Sequence, residues 1–291
     1  MRVVPLAFDS MGVRSMATLV ETADLSLVID PSAALGPLRF GLPPHPLEWE
    51  RLRVLGSAVE EAAARADVLV VTHYHYDHHD LGTLVSLEVY RGKRVFVKHP
   101  TEKINRSQRE VRAPMFLKAI EGLPSSLEYA EGSTLRVGGT EVEFSEAVPH
   151  GVSDRLGYVV EVSVREGEEC LVFTSDVEGP ALREQVEFIL NSDPTILIVD
   201  GPPTYLAGYK YPRGALLTSQ ENLIRVMEET RVRRIVIDHH SARDLKWRSA
   251  LSRLVEGGRE RGVEVVLAAE AAGVPVDMLE ARRRDLYRQF R

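Results

Sequence analysis

Within six residues the chain places His73, His75, Asp77 and His78, and this run constrains what it can fold into more than any other feature. The run follows Val68, Leu69, Val70, Val71 and Thr72, an apolar stretch of strand length. In extended backbone, residues two apart face the same side. His73 and His75 can therefore converge on one metal ion without a loop closing between them. Where the chain turns, Asp77 and His78 are placed to face a second ion, and Asp80 is placed to cap a helix over 80–90. Two such ions can share a hydroxide, lower the pKa of its parent water and polarise the bond under attack. Four of the nine histidines fall here (His73, His75, His78 and His79), a costly accident if the imidazoles were merely buried unpaired.

The rest of the chain reads as strands and helices in alternation. Short β-branched runs predict strands at 25–30, 68–72, 95–98, 140–144, 158–162, 171–174, 195–200, 234–238 and 263–267, and the first ten residues also read as a strand. Amphipathic segments predict helices at 46–65, 80–90, 101–121, 180–191, 219–230 and 243–260, with Pro114 breaking or kinking the third. Several strands are continuously apolar, so both faces should be buried, and helices should cover stacked sheets in a layered α/β sandwich. The Gly- and Pro-rich stretches at 36–46 and 201–214 lack the length or charge bias of linkers, so 1–291 is read as one domain.

More ligands are needed for two ions, and strand ends supply them. His150 follows Ala147, Val148 and Pro149 and suits a third ligand to the first ion. Asp176 ends the run from Leu171, where a carboxylate with two oxygens can bridge. His239 ends the strand at 234–238 and would complete the second ion. The carboxyl ends of buried strands are where α/β proteins build their sites. His239 and His240 are adjacent and point opposite ways in extended backbone, so one of them is the ligand, and His239 is taken. His240 is left for substrate contact, protonation of a leaving group, or solvent. His79 is assigned a supporting role, and His45 and His99, beside prolines, loop or packing roles.

The ordered set His-x-His-x-Asp-His, then His150, Asp176 and His239, resembles the metallo-β-lactamase superfamily across nearly the whole chain. The resemblance implies a four-layer αβ/βα sandwich. It also implies a first ion on His73, His75 and His150, a second on Asp77, His78 and His239, and Asp176 bridging. Asp30 looks like an early aspartate that buttresses the metal loop. The segments 9–15, 42–46, 72–79, 200–205 and 238–240 resemble, more narrowly, a mostly archaeal branch of predicted hydrolases. No flavin-binding domain and no inserted nuclease domain follows the pattern, which argues against flavo-diiron reductases and mRNA-processing nucleases.

The function expected is a metal-dependent hydrolase acting on an ester, thioester, lactone or phosphodiester, with Asp77 and His240 as catalytic groups. Zinc is the first choice of metal for His and Asp ligands, and iron or manganese also fits. The alternatives are a phosphodiesterase or RNA-processing nuclease, and a non-catalytic binding protein stabilised by metal. A net charge of −7 disfavours bulk nucleic-acid binding and leaves a small or anionic substrate as the expected partner. Aromatics and cations at 205–213 suggest a loop that clamps an anion, and the Arg-rich segment 282–288 reads as the solvated face of a terminal helix. The single cysteine, Cys170, excludes an intrachain disulfide and a cysteine metal cluster and reads as a core thiol. No run is long and apolar enough for a membrane span and no secretory signal is evident, so a cytoplasmic protein is expected.

Overall fold

A computed structural model describes residues 1–289. Two mixed sheets form its centre. The first contains β1 (Arg2–Phe8), β2 (Met16–Glu21), β3 (Ser26–Ile29), β4 (Val68–Val71), β5 (Arg94–Val97) and β6 (Ser126–Tyr129), in sequence order. The second contains β7 (Thr134–Val137) and β8 (Thr140–Phe144). After the short pair β9 (Val148–Pro149) and β10 (Tyr158–Val159) it continues with β11 (Val162–Glu166), β12 (Glu169–Phe173), β13 (Ile196–Val199), β14 (Arg234–Ile237) and β15 (Glu264–Val266). Its order is β15-β14-β13-β12-β11-β8-β7. Each sheet is antiparallel in one part and parallel in the other, β3 to β6 in the first and β12 to β15 in the second.

The continuously apolar strands are buried on both faces, as expected. Leu27, Ile29, Val68 and Val70 meet Val162, Val164, Leu171, Phe173 and Ile198 between the sheets. The alternate residues Val28, Leu69, Val71 and Val97 pack outward on Val59 and Ala63 of α1 (Pro46–Arg65) and Phe116 of α2 (Ala113–Ala119). On the other side Val172, Leu197, Val199 and Ile237 pack on α3 (Arg183–Ser192), α4 (Arg213–Glu229), α5 (Trp247–Ala250) and α6 (Ser252–Arg261). The layers are therefore helix, sheet, sheet, helix. Each buried aliphatic contributes about 1.5–3 kcal/mol, and the period-two pattern divides that between two interfaces. Two helices close the chain, α7 (Ala268–Ala271) and α8 (Leu279–Gln289).

Some expected elements differ. The helix over 80–90 does not form. Asp80 does accept the N–H groups of Thr83, Leu84 and Val85, at 2.7, 3.0 and 3.1 Å. Gly82, however, lies at φ +86°, and only a 3₁₀ turn at Leu87–Tyr90 follows. The segment 101–121 shortens to a π-helical turn at Gln108–Arg112 running into α2, and Pro114, which has no N–H to donate, lies just beyond that turn. The strand at 158–162 splits into β10 and β11, because the Val160 N–H leaves the ladder to bond the Thr72 carbonyl at 3.1 Å. The helix expected at 219–230 begins earlier, right after Pro212. Cys170 is buried, as expected. Among the described residues, no helix is long and apolar enough to cross a membrane.

Candidate metal centre

Five parallel or paired strands deliver their carboxyl ends to one place. β3 leads into Asp30, β4 into His73, β9 into His150, β12 into Asp176 and β14 into His239. Beyond β4 the chain bends, bringing His73 and His75 to the site, while Tyr74 between them is fully buried on the helix side, against Phe116. Asp176 lies at the focus. Its Oδ2 is 3.3 Å from His150 Nε2, 3.4 Å from His239 Nε2, and 3.9 Å from both His73 Nε2 and His240 Nε2. Its Oδ1 is 3.2 Å from His78 Nε2.

Three groups have ligand atoms lying within 4.8 Å of one another: His73, His75, His150 and Asp176; Asp77, His78 and His239; and Asp176, His239 and His240. All seven expected ligands are thus brought together, in the two sets read from the sequence with Asp176 in the first. His73 Nε2, His78 Nε2, both ring nitrogens of His150 and Asp176 Oδ1 are buried without a hydrogen-bond partner. Orphaned buried polar atoms are costly, and divalent ions would satisfy the unprotonated ring nitrogens and the carboxylate oxygen, so this set fits them. Burial, together with the neighbouring His78 and His75, holds His73 well below its ordinary value, and burial and His150 hold His75 at about 3. Both rings are therefore neutral at pH 7, the form that coordinates metal.

A ring of buried carboxylates orients these rings. Asp30 takes the Thr72 N–H at 2.8 Å and pairs with His78 Nδ1 at 2.7 Å, the buttress expected of it. Sequence reasoning missed the equivalents on the other side. Asp9 pairs with His239 Nδ1, and Asp200 with His240 Nδ1, each at 2.7 Å. Asp238 accepts the His239 and Ser10 N–H groups. Their positions at strand ends, inside the segments 9–15, 200–205 and 238–240, were the available signal. After Asp200 the loop runs so close to β14 that a Cβ on Gly201, at φ +70°, would lie 2.7 Å from Ile237 Cγ1.

The expectation that His239 and His240 point opposite ways is corrected. His239 sits at φ +42° and His240 in the right-handed helical region, so the backbone is not extended and both rings reach Asp176. Asp30, Ser175 and Glu178 are also non-glycine residues at positive φ. Each costs about 1–3 kcal/mol, strain that packing holds in place around the site. His79 is structural, its Nδ1 on the His75 carbonyl at 2.9 Å. His45 caps α1, and His99 caps its own loop.

The site opens into a cleft of about 450 Å³ lined by His75, Asp77, His150, Asp176 and His240, with Tyr76, Tyr205, Glu178 and the cations Arg14, Arg112 and Arg243. Arg243 was also missed. It is buried, donates to Asp9 Oδ1 at 2.8 Å, and brings Nη2 to 2.9 Å from His239 Nε2. Of the loop at 205–213, Tyr205 reaches the cleft, stacked under Arg39. Lys210 lines an adjoining pocket, and Tyr211 is buried on the Glu178 carbonyl.

Arg14 is held by a fork to Glu280 of α8, with both bonds at 2.6 Å. Burial pushes the Glu280 carboxyl up, but the Arg14 hydrogen bond and charge outweigh it and hold the group at about 2, below its ordinary 4.5. A depressed carboxylate stabilises the fold fully above the unfolded value and loses that contribution as pH falls through the folded one. Glu280→Gln should therefore lower stability near neutrality by about 1.5–3 kcal/mol. It should also flatten the loss of stability between about pH 4.5 and 2. Thermal melts of both proteins across that range check it.

Taken together, the layered fold and the strand-end site are those of a metallo-β-lactamase fold. The chain resembles an isothiocyanate hydrolase from Delia radicum gut bacteria (TM-score 0.54, 16% identity, 88% of this chain and 94% of that one). It likewise resembles the metallo-β-lactamase fold protein YhfI of Bacillus subtilis (TM-score 0.54, 15% identity, 91% and 94%). No family model matches. In sequence the chain is 50% identical over 290 residues to a UPF0282 protein of Korarchaeum cryptofilum, covering 100% of this chain and 95% of that protein. It is 48% identical over 289 residues to a UPF0282 protein of Metallosphaera sedula, covering 99% and 93%. The chain belongs to the UPF0282 family.

Proposed function

We propose that the chain is a hydrolase working with two divalent metal ions. His73, His75 and His150 would hold one, Asp77, His78 and His239 the other, and Asp176 would stand between them. The observation that carries this reading is the Asp176 carboxylate set among five imidazoles, with buried ring nitrogens left unpaired around it. When bound, two such ions supply a nucleophilic hydroxide near neutral pH and polarise the bond under attack.

The chain's own groups do the rest. Asp77, partly open to the cleft, orients the nucleophile and accepts its proton. His240, fixed at Nδ1 by Asp200, turns Nε2 towards Asp176 on the cleft wall, and burial holds it well below its ordinary value, so it is placed to contact the substrate as a neutral ring. Arg243 makes the two positions unequal. To ligate the second ion, His239 Nε2 must give up its 2.9 Å contact with Arg243, whereas the corresponding contact at the first position, Gln108 Nε2 to His75 Nε2, is longer at 3.4 Å and comes from an uncharged amide.

The test is to reconstitute metal-free protein with zinc, manganese or ferrous iron, count ions per chain, and assay a thioester, lactones, p-nitrophenyl esters and bis-p-nitrophenyl phosphate. Two ions bound in two steps of unequal affinity, with metal-dependent turnover, is the expected result. Turnover of the phosphodiester alone would select the nuclease reading. Tight metal binding with no turnover across the panel would leave the metal-stabilised binding protein. Less than one ion per chain would overturn the proposal.

A further inference from the structure

The cleft holds three arginines, and two are already committed. Arg14 is forked to Glu280, and Arg243 is bonded to Asp9. Arg112 has no carboxylate partner among the described residues. Its guanidinium lies 4.9 Å from the Tyr76 ring centre and reaches only the Tyr74 carbonyl, at a long 3.5 Å. It is half-buried and faces the same cleft as His75, Asp77 and Asp176.

Its placement is built into the backbone. Arg112 ends the π-helical turn Gln108–Arg112, a rare geometry that often marks functional positions. The same turn carries buried Gln108, whose Oε1 accepts the Tyr74 N–H at 2.9 Å and whose Nε2 donates to Leu156 O at 2.9 Å. The turn thus grips both sides of the Tyr74 peptide, between the ligand candidates His73 and His75. A cation with its fork of donors open and its stem fixed to the metal loop is suited to a planar or tetrahedral anion. Glu178, the cleft's carboxylate outside the ligand set, packs against Gly151 and also lines the adjoining pocket, and it makes no ion pair with Arg112 among the described residues.

We propose that Arg112, stacked on Tyr76, is an anion subsite, and that the substrate is a small ester-type molecule carrying a carboxylate or phosphate group apart from the bond that is cleaved. This rests on the hydrolase reading for the cleaved bond, but the subsite itself can be tested without turnover. Metal-free protein is titrated with mono-p-nitrophenyl glutarate, its methyl ester, and p-nitrophenyl 3-phosphonopropanoate, and binding is followed by calorimetry.

At least one anionic ligand should bind about 10- to 100-fold more tightly than the neutral methyl ester, the span of a charge-assisted fork, and the better of the two identifies the group. Arg112→Gln should abolish the preference while leaving binding of the methyl ester and the number of ions per chain unchanged. Arg112→Lys should keep part of it. No preference in the wild type, or a full preference in Arg112→Gln, overturns the subsite. A preference that depends on Arg112, combined with no metal-dependent cleavage of any ligand in the panel, would retain the subsite and overturn the hydrolase.

Discussion

Asp176→Ala should remove essentially all activity, by about 10³-fold or more, and should cut the ions bound per chain from two to one or fewer. The magnitude follows from what the ions supply, since several kcal/mol of charge stabilisation is lost at 1.36 kcal/mol per factor of ten. One carboxylate faces both ligand groups, with His150, His73 and His239 around Oδ2 and His78 at Oδ1. No single histidine has that reach, so His75→Ala should weaken chiefly the first position. A second readout separates loss of ligands from loss of fold. A metal at 100 times its Kd stabilises the native state by about 2.7 kcal/mol, and at 1,000 times by about 4.1 kcal/mol. Adding zinc should raise the melting temperature of the wild type more than that of Asp176→Ala. Wild-type metal content and activity in Asp176→Ala would refute the assignment.

The His and Asp cluster was legible for a physical reason: a candidate metal site draws on few residue types at spacings a strand end supplies. The two-residue spacing of His73 and His75 grouped them on one ion, the continuously apolar strands gave the layered sandwich, and the four-layer form came with the family resemblance. What failed were inferences that depend on packing at a distance. Asp9 reaches His239 across 230 positions of sequence, and Arg243 reaches Asp9 across 234. No local pattern announces either. His240 was misread because alternation was extended beyond β14 through His239, two residues past the strand, whose φ of +42° only the surrounding structure sustains. The helix over 80–90 was misread because a cap was present and Gly82 was given too little weight. In each case a local rule held up to the point where the chain turned into the site.

The Arg-rich end of the chain holds the largest correction and the second large effect. Arg283, on the segment expected to be a solvated face, is fully buried. Its guanidinium forks onto Glu48 at 2.7 and 2.8 Å and donates to the carbonyls of Gly36 and Leu42 at 2.9 and 3.1 Å. Glu48 in turn accepts the His45 N–H at 2.7 Å, closing the cap of α1. One pair therefore ties α8, α1 and the 36–42 loop together. Pro37, on that loop, lines the cleft, and Arg39 covers Tyr205.

Breaking a buried pair from one side leaves a charge stranded, which costs about 3–5 kcal/mol. Glu48→Ala should be the worse variant, because it also removes the helix cap. Arg283→Met keeps volume but leaves two carbonyls unanswered. Chemical denaturation should show both losses, and a double variant should lose less than the sum, since the second change removes the stranded partner. Because neither residue touches the metal ligands, ions per chain should stay at the wild-type number. Any change in turnover should appear in KM, through the cleft wall, before it appears in kcat. Additive losses, or metal lost in step with stability, would mean that this pair does not act as the clamp described.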